Sequence, residues 1–282
     1  MCSQPTPSIV IPTRDRPDYL EVTLTSVMPQ ARAAHAEVLV VDDGTDPATA
    51  GVVQRHGARL VRSPRAGANA ARNAGIAAAA GDPLILIDDD VDAPGGWLAA
   101  ILDGVTRTPD HDVFGGPIRA RLEGGGPRSC GRESAPITTL DRGARDVDVE
   151  LVWSANMAIR RRAWELVGPF DETIVGRGEE EDWQRRYAAR GGRVRYLAAA
   201  GLVHRRSRAD STVPRLAGAA YRLGRTARRY DARRGRAPAI AAELRTLAGC
   251  IWHIGRRRCL NGVALAAHSA GRLREAVSER GT

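Results

Sequence analysis

Residues 84–92 read LILIDDDVD, four apolar residues running straight into Asp88, Asp89 and Asp90, with Asp92 following. Turn formers bound the run, Gly81-Asp82-Pro83 before it and Pro94-Gly95-Gly96 after it. A short, continuously apolar segment of this kind suits a strand buried on both faces of a parallel sheet. In open α/β sheets, ligands bind beyond the carboxyl ends of such strands. Three adjacent carboxylates at that edge repel one another unless a cation or water compensates them. A hard divalent ion with oxygen ligands, itself bridging the phosphates of a nucleotide, fits the requirement. The alternative reading is a solvated acidic turn after a strand.

The rest of the first 120 residues repeats the theme. Ser8–Thr13 predicts a first strand, followed by a helix that opens at Pro17 and buries Tyr19, Leu20, Leu24, Val27 and Met28. Glu37–Val41 predicts a second strand that also runs into acids, Asp42-Asp43, then Gly44. Asp46-Pro47 restarts a helix, and Ala58–Arg62 reads as a third strand. The segment Gly67–Gly75 opens an alanine-rich helix whose small residues allow close packing or close ligand approach. Trp97–Val105 predicts another helix, and Val113–Ile118 a strand. This strand–helix alternation argues for an α/β fold with a mostly parallel sheet flanked by helices. Residues 119–148, rich in Gly, Arg, Ser and Asp, read as a long loop. Beyond it, Leu151–Asn156 is ordered, Arg161–Val167 is a short helix, and Glu179–Arg186 opens another with four consecutive acids. Acids favour a helix start, but four exceed what that role requires. Val194–Leu197 and Leu202–His204 read as short strands.

Composition removes several alternatives. All 42 basic residues are Arg, so neither a P-loop lysine nor a Schiff-base lysine exists. No GxGxxG follows the first strand, which disfavours an ordinary dinucleotide fold. Cys2, Cys130, Cys250 and Cys259 are scattered without a CxxC pair and read as reduced thiols. With no span-length apolar run and no signal-peptide layout, the expected location is cytoplasmic.

Five stretches stand in one order: strand 8–13, Val40-Val41-Asp42-Asp43-Gly44, Gly67–Gly75, Ile87–Asp90, and Asn156 followed by the acidic helix 178–186. Together, over roughly residues 8–205, they resemble the family 2 glycosyltransferases, inverting enzymes of GT-A (Rossmann-like) fold that use nucleotide-diphosphate sugars. The resemblance implies a catalytic domain over 1–205, with a nucleotide-sugar half to about 118 and an acceptor half over 119–205. It implies that Thr13 and Asp43 hold the nucleoside and that Arg72 contacts the nucleotide, unless Arg72 is only a helix-surface charge. Asp88-Asp89-Asp90 matches the DxD motif, with Asp88 near the ribose and Asp90 on Mn2+ or Mg2+. His204 matches a residue that completes the metal shell, or else it is structural. Trp153, Asn156 and Asp171 match the acceptor side, although Trp153 could equally be core. The general base that removes the acceptor hydroxyl's proton is Glu180, where Asp is usual in the family, or Asp182 if the register slips. The donor expected by default is a UDP-sugar. The acceptor is a hydroxyl on a lipid-linked, saccharide or small-molecule partner, as in cell-envelope polysaccharide, glycolipid or natural-product glycosylation. The competing function is a catalytically silent nucleotide-sugar- or membrane-binding module.

The charge lies at one end. Residues 205–282 hold 18 Arg against 5 acids, a net of +13, whereas residues 1–204 are mildly acidic. From about residue 212 the pattern predicts three helices, near 213–231, 238–257 and 262–279, basic and amphipathic. This extension, 206–282, suits an anionic membrane surface, making the protein peripheral on the inner face of the membrane, or a helical annex with Arg facing water. Sparse aromatics and the absence of any binding motif argue against nucleic acid.

Overall fold

The computed structural model describes residues 6–131, 137–176 and 178–279. The eight-stranded main sheet is built from β1 (Ser8–Thr13), β2 (Glu37–Asp42), β3 (Arg59–Arg62), β4 (Leu84–Ile87), β6 (Val113–Gly115), β8 (Val147–Val149), β9 (Asn156–Ile159) and β10 (Val194–Tyr196). Its order is β3-β2-β1-β4-β9-β6-β10-β8. The first four strands are mutually parallel, with Ser8 in register with both Glu37 and Leu84. β9 runs antiparallel to both β4 and β6, and β8 antiparallel to β10. A second sheet orders β5 (Val91–Asp92), β11 (Leu202–Arg206) and β7 (Ile118–Leu122) as β5-β11-β7. The expected strand over 113–118 is therefore two strands. Pro117 has no N–H for a ladder, and a Cβ at Gly116 would stand 2.0 Å from the Ala200 carbonyl oxygen, so the chain breaks pairing there. Within the expected loop 119–148 the chain forms most of β7, a 3-10 turn at Glu123–Gly125, and β8.

Helices α1 (Pro17–Ala33), α2 (Ala48–His56), α3 (Ala68–Ala78), α4 (Trp97–Arg107), α5 (Arg161–Val167) and α6 (Glu179–Ala188) accompany the main sheet. The core is apolar and continuous, with Ile9, Val10, Ile11, Leu39, Val40, Leu84, Ile85 and Leu86 fully buried. Small residues in α3 allow its backbone to lie directly on the sheet: a Cβ at Gly75 would come within 2.4 Å of Val10 Cγ1 and 2.7 Å of Val41 Cγ2. Four stacked or tilted aromatic rings, Trp164, Phe170, Trp183 and Tyr187, fix α5 and α6 together, with centroids 5.5–6.1 Å apart.

The chain resolves into two compact units. One comprises residues 1–119, 139–173 and 179–204; the other comprises 120–138, 174–178 and 205–282. In the second unit, α7 (Val213–Arg233), α8 (Ile240–Arg257) and α9 (Asn261–Ser278) fall within two residues of the boundaries expected from sequence. α9 packs on both α7 and α8. Gly224 and Gly271 make the closest crossing, where added Cβ atoms would meet the His268 and Tyr221 carbonyl oxygens at 2.0 and 2.1 Å. Part of the unit's basic charge is paired internally. Arg225 and Arg229 pair with Glu275, Arg228 with Glu279, and Arg272 with Glu243 and Asp231. Among the described residues, no helix is long and apolar enough to cross a membrane.

Candidate functional site

Parallel strands deliver their carboxyl ends to one rim, and the acids predicted to matter sit there. Thr13 ends β1, Asp42 ends β2, and Asp88-Asp89-Asp90 follow β4. The turn after β4 is held from α1: the Thr23 hydroxyl shares its one proton between the Asp89 and Val91 carbonyls, 2.7 and 2.8 Å away, and accepts from the Val91 N–H. The three acids have separate surroundings. Asp89 turns inward and is fully buried, accepting from the Thr13 hydroxyl at 2.7 Å and from the Arg16 guanidinium. Burial, together with the charge of Asp90, pushes its carboxyl up to about 7 against the opposing pull of Arg16. Asp90, also buried, takes Arg16 on one oxygen at 3.0 Å and has His204 Nε2 2.8 Å from the other. His204 comes from β11, whose pairing with β5 sets His204 opposite Val91.

Ligand atoms of Asp88, Asp90 and His204 lie within 4.8 Å of one another. Two carboxylate oxygens and one imidazole nitrogen form a donor set that suits Mn2+ or Mg2+. The residues present therefore fit a divalent cation.

Arg72 links this rim to the acidic helix. Its buried guanidinium reaches Asp88 at 3.3 Å, Glu179 at 2.9 Å and the Asn69 side-chain oxygen at 3.2 Å. It is thus a buried bridge between two acidic elements and not a helix-surface charge. Glu179 and Glu180 open α6, which is pinned from three directions. Gln184 makes a two-way exchange with the Val152 backbone, the Trp183 indole donates to the Gly168 carbonyl, and Arg186 holds the carbonyls of Val167 and Pro169. Burial and the neighbouring Glu179 push the Glu180 carboxyl up to about 8, while the Arg72 charge pulls it down. Asp182, one helical turn from that bridge, is committed to Arg186 at 3.0 Å.

The loop after β2 forms the other wall. Asp43 accepts the Gly67 N–H at 2.6 Å, and Gly67 holds a positive φ of 120° that a side chain would disfavour. Asp15 accepts from the Thr45 and Asp46 N–H groups, closing the loop over Gly44, where any Cβ would meet Asp15 at 2.5 Å.

The acceptor-side residues part company. Asn156 is fully buried: it accepts from the Trp97 indole at 3.0 Å and donates to the Ala200 and Pro117 carbonyls at 2.8 and 3.3 Å. In this structure it joins three elements of the core and faces no open surface. Trp153 is half-buried and donates to the Thr139 carbonyl, and Asp171 is exposed, its carboxylate accepting the Thr173 N–H. Two contributors escaped the sequence reading. Arg16 stands among loop charges and has no periodicity to mark it. Glu179 was one of four adjacent acids, and only the helix phase shows which of them faces Arg72.

The family described as "Glycosyl transferase family 2" matches residues 8–167. Among curated proteins, the pre-mycofactocin glycosyltransferase of Mycobacterium tuberculosis is 32% identical over 207 residues, covering 70% of this chain and 42% of that protein. Glycosyltransferase AglE of Haloferax volcanii is 25% identical over 186 residues, covering 64% of this chain and 60% of that protein. The chain thus spans about half the length of these relatives. Among solved structures, GalNAc-T7 with UDP, GalNAc and Mn2+ matches with a TM-score of 0.59 at 15% identity, over 80% of this chain and 48% of that one. The mannosyltransferase PcManGT from Pyrobaculum calidifontis, in complex with GDP-Man and Mn2+, matches with a TM-score of 0.55 at 16% identity, over 96% of this chain and 88% of that one. At such identities the likeness is one of fold, the GT-A α/β arrangement expected from the sequence.

Proposed function

Because the chain belongs to the family 2 glycosyltransferases, we propose that it moves a sugar, with inversion, from a nucleotide-diphosphate donor to an acceptor hydroxyl. The observation that carries this reading is the convergence of Asp88, Asp90 and His204 beside a buried Arg72 that also holds Glu179 at the start of α6. Asp88, Asp90 and His204 would hold Mn2+ or Mg2+, which would supply positive charge to offset that of the leaving diphosphate. Thr13, Asp43 and Asp89 form the nucleoside wall, Asp43 offering a carboxylate oxygen to a base N–H. Asp89 serves this wall from behind, by fixing Thr13 and Arg16. Glu180 takes the proton from the acceptor hydroxyl as that oxygen bonds to the anomeric carbon and the sugar–phosphate bond breaks on the opposite face. Its raised pKa makes it a stronger base than a solvated carboxylate, and the commitment of Asp182 to Arg186 favours Glu180 over Asp182 for this role. The donor is a UDP-sugar in this reading. Domain 1–205 carries the chemistry, and the extension 206–282 meets an anionic lipid surface through exposed Leu244, Ile251 and Trp252 of α8, next to Arg245 and Arg256–Arg258. That placement suits a lipid-linked acceptor.

Arg16 supports a second reading. It already neutralises Asp89 and Asp90 without a cation, as in a silent nucleotide-binding module. A panel of UDP-, dTDP- and GDP-sugars, with and without Mn2+, separates the two. Transfer or donor hydrolysis that needs Mn2+ and is lost in Glu180→Gln supports the enzyme. Calorimetric binding of a nucleotide diphosphate, with no turnover in the presence of any acceptor extract, supports the module.

A further inference from the structure

The second unit gathers a soft-donor cluster from residues far apart in sequence. Cys259 is fully buried in the turn between α8 and α9, His253 lies on the last turns of α8, and Cys130 arrives on the segment 120–138. Their ligand atoms all lie within 4.8 Å of one another, and Cys130 Sγ stands 3.4 Å from His253 Nε2. A tetrahedral zinc with Zn–S of about 2.3 Å and Zn–N of about 2.0–2.1 Å has an S···N edge of about 3.5 Å, so this pair already has the required spacing. The Cys130 N–H donates to Cys259 Sγ at 3.3 Å, and the Asn261 N–H donates to the Arg128 carbonyl at 3.2 Å. The backbone thus seats Cys130 against the turn independently of any ion. Two thiolates balance the charge of a dication, and thiolate with imidazole selects zinc over the hard ions suited to Asp88, Asp90 and His204.

The geometry points to a zinc site made by Cys130, His253 and Cys259, with water in the fourth position, that fastens the segment around Cys130 to the α8–α9 turn. It is independent of the donor site and of the glycosyltransferase reading. The test uses the full chain, purified under reducing conditions, loaded with zinc and passed through a chelating column, with zinc counted by plasma mass spectrometry. One zinc per chain is expected in the wild type, in Asp90→Asn and in Cys250→Ser, and background levels in Cys130→Ser and His253→Gln. Cobalt supplies a reading that needs no variant: the wild-type protein should show thiolate-to-cobalt charge transfer and the visible bands of a tetrahedral ion. Absence of retained zinc and of the cobalt spectrum would overturn the site. So would equal loss in Cys250→Ser, loss in Asp90→Asn, or an intact mass showing a Cys130–Cys259 disulfide in the reduced preparation.

Discussion

Replacing Arg72 by Met tests the bridge between the strand rim and the acidic helix. The guanidinium is buried and answers two carboxylates, Glu179 at 2.9 Å and Asp88 at 3.3 Å. Removing one partner of a buried ion pair leaves its mate uncompensated and costs about 3–5 kcal/mol, a large share of a typical domain's stability. The loss should be pH-dependent. Glu180 has a folded pKa of about 8 against an ordinary value of 4.5, so the folded state binds the extra proton. Its contribution to wild-type stability is therefore full below about pH 4.5, falls as pH rises to about 8, and is level above. Without the Arg72 charge that pKa rises further, and the decline should extend past pH 8 at up to about 1.4 kcal/mol per pH unit. Catalysis follows the same group. At pH 7 a base with a pKa near 8 is about one-tenth ionised, and each further unit costs about tenfold in active form. Arg72→Met should therefore lose kcat at pH 7, about tenfold for each unit by which the pKa climbs, and recover as pH rises. Urea unfolding in metal-free buffer at pH 6, 7.5 and 9 gives the first quantity, and the pH profile of donor turnover the second. Adding Glu179→Gln to Arg72→Met removes the stranded charge and should restore part of the stability, a non-additivity visible in a double-mutant cycle. A single variant within about 1 kcal/mol of wild type at all three pH values, together with an additive cycle, would refute the reasoning.

Three further outcomes are expected. Mn2+ at a hundredfold excess over its Kd should stabilise the wild type by about 2.7 kcal/mol in a thermal-shift assay, and Asp90→Asn should lose that shift; an unchanged shift would remove Asp90 from the cation site. Gly75→Ala puts a methyl 2.4 Å from Val10 Cγ1 and should cost about 1–3 kcal/mol in chemical denaturation, whereas a neutral result would mean that α3 can lift from the sheet. Vesicles of phosphatidylglycerol should bind the full chain less as salt rises and less again after Trp252→Ser, an indole 64% exposed on α8; salt-independent binding unaffected by the substitution would rule out the lipid-facing role.

What the sequence determined by itself was local and periodic. The apolar runs of β1, β2 and β4 buried themselves because nothing polar interrupts them, and the three basic helices formed close to their expected bounds, although α8 leaves its apolar Leu244, Ile251 and Trp252 exposed. The ordered acids after β2 and β4 likewise marked one rim, since parallel strands must end on the same side. Tertiary structure alone decided how neighbouring, chemically identical groups divide their roles. Asp89 turns into the core toward Thr13 and Arg16 while Asp90 meets His204, two carboxylates set apart by backbone direction that adjacent positions cannot encode. Asn156 became a three-way core tie because Trp97, Pro117 and Ala200, far from it in sequence, converge there. Cys130 and Cys259, 129 positions apart, met for the same reason: long-range packing brings side chains together, and a spacing read along the chain does not measure distance through space.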